Sequence, residues 1–91
     1  MSKRIPKPGS LCYIEWTDHY TKSATAWVNR EDASSTTPEY CRSVGWVLKS
    51  DKDAVAIAAH IDRDSHTGDV GGQMTILKVN ILRVEKLEVP G

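Results

Sequence analysis

A cysteine and a histidine are the two residues of this chain whose chemistry comes nearest to that of a catalytic pair. Cys41 and His60 belong to neighbouring apolar, strand-like runs of the sequence. A thiol becomes a nucleophile when a nearby imidazole takes its proton. The sequence offers no evident third residue to orient that imidazole, and no glycine-rich phosphate loop. We therefore expect a protein that is not an enzyme and that has no cofactor.

The residues that could bind a metal ion do not have the spacing of a metal site. The three histidines are scattered along the chain at His19, His60 and His66. Residues 62–73 are similar to a calcium loop, but Gly68 falls at the seventh position, where the sixth is required. Gln73 stands where the loop needs a bidentate glutamate. The sequence therefore predicts a polar hairpin loop here and no metal site.

Aromatic residues provide the clearest candidates for ligand binding. The chain has three tryptophans and no phenylalanine. Tryptophan rings can stack on a base or hold a peptide, and they can equally fill a core. We expect Trp46 to lie in the core. For Trp16 and Trp27, which flank a polar stretch, a binding surface and the core both remain open.

Arg42, Ser43 and Tyr20 extend this candidate surface. An arginine near tryptophan rings can bind a phosphate or stack on a ring, although a solvated arginine on a strand is the plainer alternative. Tyr20 has a ring with a polar end, which suits a half-buried rim or a subunit interface. The candidate ligand-binding residues are Trp16, Tyr20, Trp27, Arg42 and Ser43.

Alternating apolar and polar residues predict the strands that must position these side chains. The predicted strands are residues 11–17, 40–49, 54–61, 73–78 and 81–89, with a further short strand at 24–28. In the first strand Cys12, Ile14 and Trp16 share a face. A short helical turn is predicted within residues 29–39, and a tight turn at Val79-Asn80.

The strongest local pattern is a hairpin formed by residues 40–49 and 54–61 around a polar turn. Two apolar stripes are expected to meet in its core. The first contains Val44, Trp46 and Leu48, and the second contains Val55, Ile57, Ala59 and Ile61. A glycine inside a strand is typical of a bulge or a sharp bend, so Gly45 predicts one of these.

These elements predict a mainly β protein, a small five-stranded SH3-like or Sm-like barrel with a short helical turn. An OB-like barrel usually needs a longer chain. Residues 1–9, which include Pro6 and Pro8, are expected to form a flexible arm, and residues 10–89 a single barrel domain.

Composition narrows the classes of partner. Twelve basic and twelve acidic residues give a formal net charge of zero, so the chain has no general attraction for nucleic acid or anionic membranes. The two cysteines do not have metal-site spacing, and we expect both thiols to be reduced, with a Cys12–Cys41 disulfide as the alternative. No apolar run is long enough to cross a bilayer, so we expect no membrane contact and a cytoplasmic location.

Several segments resemble a family of small proteins encoded by tailed bacteriophages and prophages. They are residues 41–48 (Cys-Arg-Ser-Val-Gly-Trp-Val-Leu), 15–18 (Glu-Trp-Thr-Asp), Trp27, and the C-terminal residues 76–87. Leu77 stands where that family commonly has proline, so the local turn is expected to differ. The resemblance implies a phage origin and a small β fold. It carries no agreed activity, and no site residue is transferred from it.

Together these features predict a phage-encoded binding protein in the host cytoplasm. It would sequester a nucleotide signal, or contact nucleic acid, to counter host defence. The alternatives are an adaptor that docks on a host or phage protein, and a minor structural component. Because Sm-like barrels often assemble through their edge strands, we also expect a homo-oligomer.

Overall fold

A computed structural model describes residues 3–18, 39–62 and 68–90. Within these ranges five strands form one antiparallel sheet in the order β4-β3-β2-β1-β5. The strands are β1 Leu11–Asp18, β2 Glu39–Ser50, β3 Ala54–Ile61, β4 Val70–Leu77 and β5 Ile81–Leu87. A short 3-10 turn, Lys78–Asn80, connects β4 to β5. The predicted mainly β fold is confirmed.

The predicted elements agree with these strands to within a few residues. β3 has the predicted bounds, β4 begins three residues earlier than predicted, and β5 ends two residues sooner. The turn predicted at Val79-Asn80 is part of the 3-10 turn. The strand predicted at 24–28 lies outside the described residues. So does the helical turn predicted within 29–39, apart from Glu39, which begins β2. No helix of the described residues is long and apolar enough to cross a membrane.

The core lies on one face of the sheet, which we call the inner face. Cys12, Ile14 and Trp16 share a face of β1, as predicted, and that face turns inward: Cys12 and Ile14 are fully buried, and Trp16 packs against the same cluster. The buried cluster consists of Cys12, Ile14, Val47, Val55, Ile57, Ile76, Ile81 and Val84. All five strands contribute to it, which is why a short chain with no phenylalanine can still close a core.

The predicted core face of β2 is wrong. Val44 is 55% exposed and Trp46 is only half-buried, whereas Val47 is 1% exposed. The pairing of β2 with β1 gives the reason. Val44 lies opposite Tyr13 on the outer face of the sheet, and Gly45 lies opposite the buried Cys12. The alternation of side chains between the two faces was identified correctly, but the positions of β2 that face inward are Gly45 and Val47.

Gly45 lies at a close approach between two strands. A Cβ atom at this position would lie 3.0 Å from the backbone oxygen of Ala58 and 3.1 Å from the Cβ of Ile57. The irregularity that was predicted at Gly45 occurs further along the strand, where the β2–β3 register shifts between Val47 and Lys49. Gly45 therefore lets β3 pack closely against β2, and the bulge lies at Leu48.

The N-terminal segment makes contacts with the sheet. Ile5 is partly buried against the core cluster. The backbone N–H of Gly9 donates to the Val47 oxygen at 2.8 Å, and the Val47 N–H donates to the Ser10 oxygen at the same distance. These bonds extend the β1–β2 pairing by one step. The division between residues 1–9 and a barrel domain at 10–89 stays a prediction.

Asp51 fixes the turn between β2 and β3. Its Oδ1 accepts the backbone N–H groups of Asp53 at 2.8 Å and Ala54 at 2.9 Å. These two bonds stabilise the ionised carboxylate, so the pKa of Asp51 lies below its ordinary value of 3.8. The turn therefore depends on a charged side chain that is exposed to solvent.

We expect the contribution of Asp51 to stability to disappear in acid. A lowered folded-state pKa stabilises the fold above the unfolded-state pKa, and that stabilisation is lost as the pH falls through the folded value. Asp51→Asn keeps an acceptor oxygen but does not titrate. The difference in unfolding free energy between wild type and Asp51→Asn should therefore shrink between about pH 5 and pH 2. Urea denaturation across this range measures it, and a constant difference would contradict the assignment.

Candidate functional site

Trp16 occupies the inner face near the end of β1. It lies opposite Cys41 on β2 and Ile81 on β5. Its indole N–H donates to the Ser43 hydroxyl at 3.0 Å. That hydroxyl in turn points to the Met74 sulfur at 3.8 Å. The Trp16 cluster (Trp16, Ser43 and Met74) thus links β1, β2 and β4 across the inner face, and Met74 remains 40% exposed.

A shallow depression of about 470 Å³ lies beside this cluster. Its lining residues are Glu15, Trp16, Tyr40, Cys41, Arg42 and Leu82. We call it the Tyr40 depression, because the Tyr40 side chain is 76% exposed at its rim. Its walls come from β1, β2 and β5, so it exists only once both long-range pairings of β1 have formed.

Glu15 sets the charge of the Tyr40 depression. It lies directly opposite Arg42 on the outer face. Its Oε1 accepts a hydrogen bond from the Tyr13 hydroxyl at 2.7 Å and lies 3.8 Å from Nη1 of Arg83. The hydrogen bond to Glu15 is the main reason why the pKa of Tyr13 is raised. One carboxylate therefore holds two neighbours in place on this face.

Arg42 is the cation of the depression that remains available to a ligand. Its side chain is exposed, and among the described residues no carboxylate pairs with it in a salt bridge. Arg83, by contrast, is bonded to Glu85. The Tyr40 depression consequently holds one carboxylate and one available guanidinium.

The fold does not bring Cys41 and His60 together. His60 lies opposite Gly71 on β4. The ladder between β2 and β3 ends at the pair Trp46–Ala58, five residues beyond Cys41. Cys41 and His60, the two residues considered for thiol catalysis, are therefore not opposite each other in the sheet.

The cysteines are too far apart to form a disulfide. Cys12 is opposite Gly45, and Cys41 is opposite Trp16, so they lie four positions apart on paired strands. At about 3.3 Å per residue this separation exceeds the roughly 7 Å limit for bridged Cα atoms. Both thiols are free, and burial raises the pKa of Cys12, which disfavours its thiolate.

No metal centre is evident in the part of the chain that the structure describes, where no group of three potential ligand residues comes together. The predicted polar loop at residues 62–72 falls partly outside that part, since residues 63–67 are not described. Cation binding by that loop therefore stays untested.

A second, larger depression was not foreseen from the sequence. It has a volume of about 820 Å³ and lies where the N-terminal segment meets the end of β5. Lys7 and Lys86 lie at its sides, and Leu11, Leu87 and Val89 contribute apolar surface. No local pattern announces it, because it is created by the pairing of Leu11 with Leu87.

The structure separates the predicted site residues into groups. Trp16 and Arg42 share the Tyr40 depression, and Ser43 is joined to Trp16 by a hydrogen bond from the inner face. Tyr20 and Trp27 lie outside the described residues. Sequence reasoning missed Glu15 and Leu82 as site residues, since only strand register reveals their proximity. Comparison of the chain with family models, curated proteins and solved structures found no match.

Proposed function

We propose that this chain is a non-enzymatic binding module with an SH3-like barrel fold, and that the Tyr40 depression binds its ligand. The order of its elements supports the fold. The first strand lies between the second and the last, a 20-residue connection separates β1 from β2, and a 3-10 turn precedes the last strand. SH3-like barrels present aromatic-lined grooves that suit extended peptides.

The observation that carries this function is the combination of an exposed ring with balanced charge. Tyr40 offers apolar area and a hydroxyl, Arg42 offers donors, and Glu15 offers acceptor oxygens on the opposite strand. A peptide segment carries both donors and acceptors and can use all three. We therefore favour an adaptor that docks on a segment of another protein.

A nucleotide is the second candidate, and the pairing of Tyr40 with Arg42 favours it. A tyrosine ring can stack on a base while a guanidinium binds a phosphate. Against it, Glu15 would repel a polyphosphate from the same depression, since like charges at short range disfavour binding. We therefore rank the nucleotide second.

The resemblance of residues 41–48 and 76–87 to phage-encoded proteins supports a role during infection. In that setting the adaptor acts in the host cytoplasm and docks on a host or phage protein. If the ligand is a nucleotide, the same module sequesters a host defence signal. No described feature favours the third alternative, a minor structural component.

A peptide selection followed by a titration tests the adaptor function. Peptides are selected from a random library on the intact protein, and the affinity of the best peptide is measured by fluorescence polarisation. Arg42→Glu should weaken binding about 10-fold or more, because a charge-assisted hydrogen bond contributes roughly 1.5–3 kcal/mol. Lys52→Glu, which changes an exposed cation in the β2–β3 turn, is the matched control and should bind like wild type.

A nucleotide panel distinguishes the two candidates. A nucleotide present at about 100 times its dissociation constant would add roughly 2.7 kcal/mol to the unfolding free energy. We expect no such stabilisation. Stabilisation that is lost in Arg42→Glu would establish the nucleotide function. Peptide binding that survives both Arg42→Glu and Tyr40→Ala would show that the Tyr40 depression is not the binding site.

A further inference from the structure

The outer edge of β5 is an unpaired strand edge with a self-complementary sequence. β5 is an end strand of the sheet: β1 pairs with one of its edges, and no strand among the described residues pairs with the other. Such an edge offers a row of backbone donors and acceptors to another strand. We propose that a second copy of this chain pairs with it, β5 to β5 and antiparallel, to form a two-fold symmetric dimer.

The charges of β5 define the register of this dimer. When two antiparallel copies are centred on Val84, Arg83 of each copy lies directly opposite Glu85 of the other. Val84 then lies opposite Val84, within residues 83–87, which keep a constant register with β1. Opposite charges in directly facing positions stabilise a strand pair, and a two-fold axis makes the contact twice.

The neighbouring registers are disfavoured by the same charges. A register centred on Arg83 places Arg83 opposite Arg83, and a register centred on Glu85 places Glu85 opposite Glu85. Like charges that face each other across strands are destabilising. Arg83 and Glu85 are also partly exposed, at 37% and 51% of their side-chain surface, so a second copy can reach them. Only the register centred on Val84 gives complementary charges.

The other end strand lacks these properties. β4 carries no charged residue between Val70 and Leu77, and its pairing with β3 keeps one register throughout. Its edge therefore offers no charge pattern that would select a partner or a register. This contrast assigns the dimer contact to β5 and argues against a ring in which β4 pairs with β5.

The dimer should dissociate readily, because one edge of seven residues is narrower than a standard stable interface. The dimer contact is also separate from the proposed ligand-binding site. Only Leu82 of β5 lines the Tyr40 depression, so the dimer and the proposed peptide function can fail separately.

Charge reversal on the intact protein tests the proposal by sedimentation equilibrium. Arg83→Glu places glutamate opposite glutamate at both contacts, and Glu85→Arg places arginine opposite arginine. Each variant alone should be monomeric, whereas an equal mixture should form a heterodimer in which both contacts are complementary. Lys52→Glu, whose charge change lies in the exposed β2–β3 turn, should dimerise like wild type.

Two variants are used so that the test remains informative if one of them misfolds. Arg83→Glu also loses the contacts of Arg83 with Glu15 and with Glu85 of the same copy, so its thermal unfolding is compared with that of wild type. If it does not fold, Glu85→Arg alone must still be monomeric. A wild-type protein that is monomeric at millimolar concentration would overturn the proposal. Dimers that persist in both variants, a mixture that does not associate, or an assembly larger than a dimer would also overturn it.

Discussion

Replacing Val47 with alanine should lower the free energy of unfolding by about 2–3 kcal/mol, whereas the same replacement at Val44 should change it by less than about 0.5 kcal/mol. The two valines lie on the same strand, three residues apart, but on opposite faces. Val47 is 1% exposed and belongs to the core cluster, and Val44 is 55% exposed. The loss at Val47 combines the transfer free energy of two methyl groups with the cavity that they leave.

Urea denaturation followed by tryptophan fluorescence measures both variants. The midpoint should fall in Val47→Ala while the denaturant slope stays the same, because the surface exposed on unfolding hardly changes. Both backbone hydrogen bonds of Val47, to Gly9 and Ser10, are kept by alanine, so the effect reports the side chain. Equal losses at the two positions, or a larger loss at Val44, would mean that β2 turns its other face inward.

The matched valines also show how far the sequence predicts this fold. The strands could be located from the sequence because a period of two is a local property, and β3 was placed at its observed bounds. Which face of β2 turns inward is not a local property of the sequence. Both of its stripes contain apolar side chains, and the stripe with the bulkier residues, Val44 and Trp46, was expected to face inward. Which face of β2 turns inward depends on β3, which approaches so closely that a Cβ atom at position 45 would make its neighbours shift.

The candidate site was predictable only in its residue types. Trp16 and Arg42 stand out because tryptophan and arginine are the side chains that most often dominate binding surfaces. Glu15, which lies opposite Arg42, gave no such signal, because a glutamate on a strand usually lies in solvent. The proximity of Glu15 to Arg42 changes the ligand class that we favour, and it follows from a pairing between residues 27 positions apart.

The hydrogen bond between Trp16 and Ser43 also depends on the pairing of β1 with β2. Its partners are also 27 positions apart in the sequence, and they meet on the inner face because β1 and β2 pair in a fixed register. The sequence left open whether Trp16 belongs to the core or to a binding surface. The structure gives it both contacts, since the ring packs on the core cluster and also lines the Tyr40 depression. Stability measurements on Trp16 variants separate these two contributions.

We expect Trp16→Ala to lower the unfolding free energy by about 2–3 kcal/mol, less than the roughly 3–5 kcal/mol of a fully buried tryptophan, because the ring is only half-buried. Trp16→Phe keeps most of the packing but removes the indole donor, and it should cost about 1 kcal/mol. Tyr40→Ala, at the exposed rim, is the control and should cost less than about 0.5 kcal/mol.

A double-mutant cycle isolates the hydrogen bond within this effect. Ser43→Ala leaves the indole N–H of Trp16 without its described acceptor, so each single variant loses the bond. In the double variant Trp16→Phe with Ser43→Ala, the second replacement should cost about 1 kcal/mol less than it does alone. Additive losses would show that the two side chains are not coupled. A Trp16→Ala protein as stable as wild type would show that Trp16 serves only the ligand, and the Tyr40 depression would then be free to change without loss of the fold.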